Sequence, residues 1–193
     1  MATVQMERRD RSNLWEVTSR TIVYAAIGAA LYGVLGLFDF LLPGTTNVSI
    51  RPAFSLVAFF GYAFGPVVGL FVGLVGNGIT DQLHGYGFLT YWNWSLANGL
   101  AGLIAGLAPL YVSGFFDSPN IRQRAIGGAI AGAVGSIIGF LFVFSDIVLS
   151  GTSFQTQLTT AYIPVVVADV ITTAILVPVL VYAWEPVKAQ LGR

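Results

Sequence analysis

Long apolar runs, each close to the length that crosses a bilayer, alternate with short polar segments through most of this chain. Four runs stand out: residues 21–42, 94–112, 125–144 and 161–184. About 20 helical residues span a hydrocarbon core, so each predicts one membrane helix. The stretch 52–80 is too long for one such helix and short for two. Gly65-Pro66 interrupts it near the middle. Proline lacks the amide hydrogen and disfavours helix in the residue before it, so a break is predicted there. The pattern then predicts six helices, with short second (52–64) and third (66–80) members. Short helices in lipid need shielding by neighbours or a polar cavity beside them.

Charge decides between five helices and six. With six helices and the N-terminus inside, Arg8, Arg9, Arg11, Arg20, Arg122, Arg124, Lys188 and Arg193 all lie on the cytoplasmic side, and only Arg51 lies outside. With five, Arg122, Arg124, Lys188 and Arg193 move outside. The excess of basic residues in cytoplasmic segments favours six, with both termini cytoplasmic. The expected organisation is a cytoplasmic segment 1–20, a six-helix transmembrane domain 21–187 and a cytoplasmic tail 188–193. Trp92 and Trp94 fall at an outer edge and Trp184 at an inner one, where such rings favour the interface.

Composition agrees with this all-α membrane class. Only 9% of residues are charged, 55% are hydrophobic and the mean hydropathy is +0.77, against about a quarter charged in soluble domains. The segment 1–20 lacks the apolar core and cleavage site of a signal peptide, so residues 21–42 read as a retained anchor. The formal net charge of zero says nothing about nucleic acid or acidic partners, and no nucleic-acid partner is expected. The chain has no cysteine and one histidine, His84, which excludes thiolate and multi-histidine metal sites. No cofactor is expected. There is no Walker A sequence and no Gly-x-Ser-x-Gly motif, so neither ATP hydrolysis nor serine hydrolysis is expected, and the chain does not read as an enzyme.

Small residues recur at helical spacing. Ala25 and Ala29, and Ala26 and Ala30, stand four apart in the first helix; Gly128, Gly132, Gly135 and Gly139 do similarly in the fifth. Such seams let helices approach closely, either inside one bundle or against a partner subunit.

The remaining polar chemistry gathers at the outer ends. Asp39, Asn47, Ser49 and Arg51 lie in the first outer loop, and Asp81, His84, Tyr86, Tyr91, Trp92 and Asn93 in the second. Asn77, Asp81 and His84 share a helix face, as do Trp94 and Asn98. An outward-open pocket and a belt of interfacial aromatics with solvated loop polars both fit, although the belt explains Asn77 and Asn98 poorly. Asp169 lies roughly 12 Å below the outer end of the sixth helix. A carboxylate at that depth costs ~2.5–3.5 kcal/mol on insertion scales, so it faces the interior or a cavity. It reads as a substrate or ion contact, or as a structural acid with Arg51 as a candidate partner.

Taken together, several segments resemble the substrate-binding S components of energy-coupling factor (ECF) vitamin transporters, particularly the riboflavin-type group. They are Ala25-Ala26-Ile27-Gly28-Ala29-Ala30, Asn47-Val48-Ser49-Ile50, Phe64-Gly65-Pro66-Val67-Val68-Gly69, Gly73 to Asp81, and Tyr86-Gly87 through Trp92-Asn93-Trp94 to Gly99 and Gly102. The resemblance covers 21–107, with hydropathy alone beyond. It implies a six-helix fold, a multi-pass place in a bacterial or archaeal plasma membrane, and partners: a membrane T component and two cytoplasmic ATPases. It also implies that Ala25, Ala26, Ala29 and Ala30 dock the T component. A vitamin-type ligand would then sit near the outer face beside Asn47, Arg51, Asp81, Trp94, Asn98 and Asp169. In one departure, Asn77 stands where such proteins often carry histidine. Riboflavin or another flat heterocycle is the first expectation, because Tyr86, Tyr91, Trp92 and Trp94 offer stacking faces. The rival expectations are a stand-alone ion-coupled carrier using Asp169 and Asp81, and a non-transporting assembly subunit.

Overall fold

The computed structural model describes residues 14–45 and 48–190. Six helices longer than ten residues run through them: α1 (Ser19–Leu35), α2 (Phe54–Phe64), α3 (Pro66–Leu83), α4 (Trp92–Gly106), α7 (Ile121–Gly139) and α10 (Ile163–Gln190). Short turns link them: α5 (Ala108–Tyr111), α6 (Ser113–Phe116), α8 (Asp146–Leu149) and α9 (Phe154–Gln157). A 3₁₀ segment, Phe140–Ser145, extends α7, and a π turn, Leu158–Tyr162, leads into α10.

The predicted break is present. Gly65 closes α2 and opens α3 with φ 107°, and Pro66 takes the first position of α3. Only glycine holds that φ without strain, and proline suits a first helical turn, whose amide would be unbonded anyway. Two boundaries differ from expectation. The first helix stops at Leu35, not residue 42, and Phe40–Leu41 pairs antiparallel with Ser49–Ile50 as a two-stranded ribbon, β1 and β2. The apolar run continued past the helix, and hydropathy does not distinguish an apolar strand from helix. The third helix continues to Leu83 over 18 residues, so only α2, with 11, is short.

Ile121–Leu149 and Phe154–Gln190 are continuous apolar helical stretches of 29 and 37 residues, with mean hydropathy 2.1 and 2.3. On α10, Ile163, Val167, Ile171, Ile175 and Val179 repeat every four residues, all exposed. An apolar stripe of that length on the outside marks lipid as the surrounding solvent, and this is a membrane protein.

The helices meet through glycine. A Cβ at Gly69 of α3 or Gly61 of α2 would collide with the carbonyl oxygen of Gly102 on α4. The glycine seam of the fifth predicted helix, now α7, is internal. Gly128 and Gly132 face Val177 and Thr173 of α10, while Gly135 and Gly139 lie against Ala101 of α4. The alanine seam of α1 divides: Ala25 and Ala29 are buried, whereas Ala26 and Ala30 are exposed.

The start of α1 and the end of α10 share one end of the bundle, where Tyr24 stacks on Phe64 (4.2 Å between centroids) and Trp184 packs on both. Arg124 also pairs there with Glu185 at 2.7 Å. Because Glu185 is about a third exposed, Glu185→Gln is expected to cost only about 0.5–1 kcal/mol, read as a small drop in thermal midpoint. A drop as large as that of a core substitution would refute this.

Candidate functional site

Four groups from separate elements converge at the opposite end. Tyr32 comes from the last two turns of α1, Arg51 from the segment after β2, Asn77 and Asp81 from successive turns of α3, and Ser95 and Asn98 from α4. Asn77 is the hub. Its carbonyl oxygen accepts from Arg51 Nη1 at 2.7 Å, and the Tyr32 hydroxyl oxygen lies 3.4 Å from it. Its amide nitrogen donates to Asp81 Oδ2 and to Ser95 Oγ, each at 3.0 Å. Both donors of that amide and one acceptor position are thus occupied. The amide orientation is dictated by its neighbours, since a guanidinium only donates and an ionised carboxylate only accepts. Tyr32 gives its one hydroxyl hydrogen to Asn98 Oδ1 at 2.8 Å, and the Asn98 amide donates to the Trp94 carbonyl at 2.9 Å.

Arg51 ties this network to the loop that follows α1. Its Nε lies 3.9 Å from Asp39 Oδ2. Burial alone disfavours its charge, but Tyr32, Asp81 and Asp39 outweigh that, and the guanidinium is held charged. His84 closes the rim: Nδ1 lies 3.1 Å from the Thr80 carbonyl, so that nitrogen carries the hydrogen, while Nε2 is 3.9 Å from Asp39 Oδ1. Its ring stacks on Tyr86, which meets Tyr91 edge-on.

Asp169 is buried in α10 at 3% exposure. Among the described residues no ion pair joins it to Arg51, and Asp169 Oδ2 has no hydrogen-bond partner.

A second carboxylate organises the loop before α10. Asp146 accepts from Asn93 Nδ2 at 2.7 Å, Trp94 Nε1 at 2.8 Å and Gln157 Nε2 at 3.2 Å. Trp94 therefore spends its indole hydrogen on the loop, leaving only ring faces for other contacts. Hydrogen bonds to a charged group are worth ~1.5–3 kcal/mol each. Asp146→Ala should destabilise the chain by about 2 kcal/mol and speed amide exchange through 140–157. Unchanged exchange there would exclude a fastening role.

Of the residues expected to bind substrate, the structure joins Arg51, Asn77, Asp81 and Asn98 in one network, while Asp169 lies buried on α10 with its Oδ2 unpartnered. His84 and Tyr86 stand at the rim. Trp92 is 45% exposed and packs on Phe142, away from the network, and Trp94 belongs to the Asp146 cluster. Asn47 lies outside the described residues. Sequence reasoning missed Tyr32, Ser95, Asp146 and Gln157. Tyr32 was within reach, since it continues the Ala25–Ala29 face by three residues; the other three carry no periodic signal.

A family model described as "ECF-type riboflavin transporter, S component" matches residues 16–185. A UPF0397 protein of Aliivibrio salmonicida (strain LFI1238) is 35% identical over 144 residues, covering 72% of this chain and 75% of its own. With a match running from before α1 to near the end of α10, the chain belongs to the ECF-type riboflavin transporter S component family.

Proposed function

We propose that this protein is the substrate-binding subunit through which a cell takes up riboflavin or a similar flat heterocyclic vitamin, with energy from ATPase partners. The family supports the general reading, a vitamin-type substrate-binding subunit of a transporter. The observation that carries the site is the buried polar network of Tyr32, Arg51, Asn77, Asp81 and Asn98 at one end of an otherwise apolar bundle. Buried polar groups in lipid are expensive, and their concentration at one end supports reading that end as ligand-facing. Tyr86 and Tyr91 supply aromatic faces at the rim.

In this reading six helices cross the cell membrane, both termini are cytoplasmic and the network end faces outward. The cytoplasmic ATPases act through a membrane T component, and the exposed Ala26 and Ala30 offer the docking seam on α1. The chain itself performs no chemistry on the vitamin. The unpartnered Asp169 Oδ2 also suits the rival carrier, in which Asp169 and Asp81 hold a coupling ion.

One experiment separates them. The chain is purified in nanodiscs and titrated with riboflavin by flavin fluorescence, then reconstituted alone in liposomes under a proton or sodium gradient. Tight riboflavin binding without gradient-driven uptake by the chain alone is expected. Gradient-driven uptake would replace this reading with the carrier. Absence of binding would remove riboflavin as the ligand.

A further inference from the structure

We infer that the groove between α1 and α10, over the start of α2, is a binding site for one acyl chain of a membrane lipid. The site is separate from the polar network and independent of which vitamin the protein carries.

The groove follows from the length of α2. With 11 residues, α2 is roughly 16 Å long, against a hydrocarbon core ~30 Å thick. Both α1 and α10 pack on α2 and scarcely on each other. Where α2 begins, the two longer helices therefore face across a groove of about 270 Å³. Leu35 and Phe38 form one wall, Leu176 and Val179 the other, and Ala53 and Leu56 the floor. Val179 also belongs to the exposed apolar stripe of α10, so the groove is continuous with the surface that already faces lipid.

Its chemistry limits the occupant. Among the described residues, none that lines it is charged. The hydroxyl of Ser55, at the floor, donates to the Pro52 carbonyl at 2.6 Å. A held water needs about two to four polar partners, and this lining offers no free side-chain one. A helix with its side chains is ~10–12 Å across, too thick to enter a groove of this volume. Left empty, the groove would cost its lining the contacts on that side. An aliphatic cavity of about 150 Å³ takes up a benzene-sized molecule, and this larger groove takes a stretch of acyl chain. With no charge in the lining, the chain is held by shape and either kind of headgroup is accepted.

The test uses the full chain in nanodiscs of equal phosphatidylethanolamine and phosphatidylglycerol, released into a native mass spectrometer. Wild type should retain one lipid per chain, with the two headgroups at comparable frequency. Leu56→Trp and Leu176→Phe fill the groove from different helices and should hold that lipid at least about tenfold more weakly. Ile171→Trp, on the α10 stripe but outside the groove, should retain it as wild type does. Melting supplies a second readout. Stripping lipid with excess detergent should lower the midpoint of wild type and leave the filled variants nearly unchanged. No retained lipid on wild type overturns the inference, whatever the variants do. Equal retention in every folded variant also overturns it, as does retention of one headgroup alone, which would mean that charge elsewhere holds the lipid. Two chains flying together without lipid would assign the groove to a second copy.

Discussion

Gly102→Val is expected to abolish the folded chain. Gly102 sits where α2, α3 and α4 touch backbone to backbone. Its Cβ would collide with the Gly69 carbonyl oxygen and come within 2.9 Å of Val57 Cγ1. From the other side, Gly61 and Gly69 approach the Gly102 carbonyl just as closely. A flexible side chain can move aside from an added methyl, but a helix backbone moves only with its whole helix. Overpacking in a compliant core costs ~1–3 kcal/mol. Here two helices must separate, and the cost should exceed that range and consume much of a total stability of ~5–15 kcal/mol. Gly102→Val should yield no monodisperse protein, and Gly102→Ala a product with a much lower melting midpoint. Gly114→Val serves as control, since nothing lies within 4 Å of a Cβ there. A Gly102→Val chain that purifies and melts like wild type would show that the helix contact is looser than described.

The second large effect is expected at Arg51. Arg51→Ala removes the donor to Asn77 Oδ1 and the partner of Asp39, and leaves Asp81 and Asp169 without the cation that acts on both. Breaking a fully buried charged pair costs ~3–5 kcal/mol. The Arg51 side chain is 22% exposed, so about 2 kcal/mol is the reasonable expectation after solvent screening. Ligand affinity should fall at least thirtyfold, the equivalent of about 2 kcal/mol. Arg51→Lys keeps the charge and loses the planar fork, so it should recover stability more fully than affinity. Melting and flavin titration of the two variants separate these contributions. Wild-type stability and affinity in Arg51→Ala would remove the residue from the site.

Much of the architecture was readable from single residues. Gly65-Pro66 announced the break because proline cannot continue a helix from the preceding turn. Asn77, Asn98 and Asp169 announced a polar interior because amides and carboxylates within apolar runs need internal partners. The end of α1 was not readable, since Leu37 to Leu42 is as apolar in a ribbon as in a helix. Asp146 was not readable either, because its three donors come from residues 93, 94 and 157, and no periodicity relates such distant positions. Trp94 was expected as an interfacial ring, and its indole instead bonds a loop carboxylate.

The sequence by itself determined the solvent, the break between α2 and α3, and which polar residues had to find partners inside. Those follow from local chemistry: apolar run length, proline and the cost of burying a polar group. Tertiary structure alone decided which partners they found. It made Asn77 the hub of the network, left Asp169 Oδ2 unpartnered and turned Ala25 and Ala29 inward while Ala26 and Ala30 face out. In a membrane the inside of a bundle and its lipid-facing surface are equally apolar. Hydropathy marks which residues are in the membrane and is silent on which way each one faces.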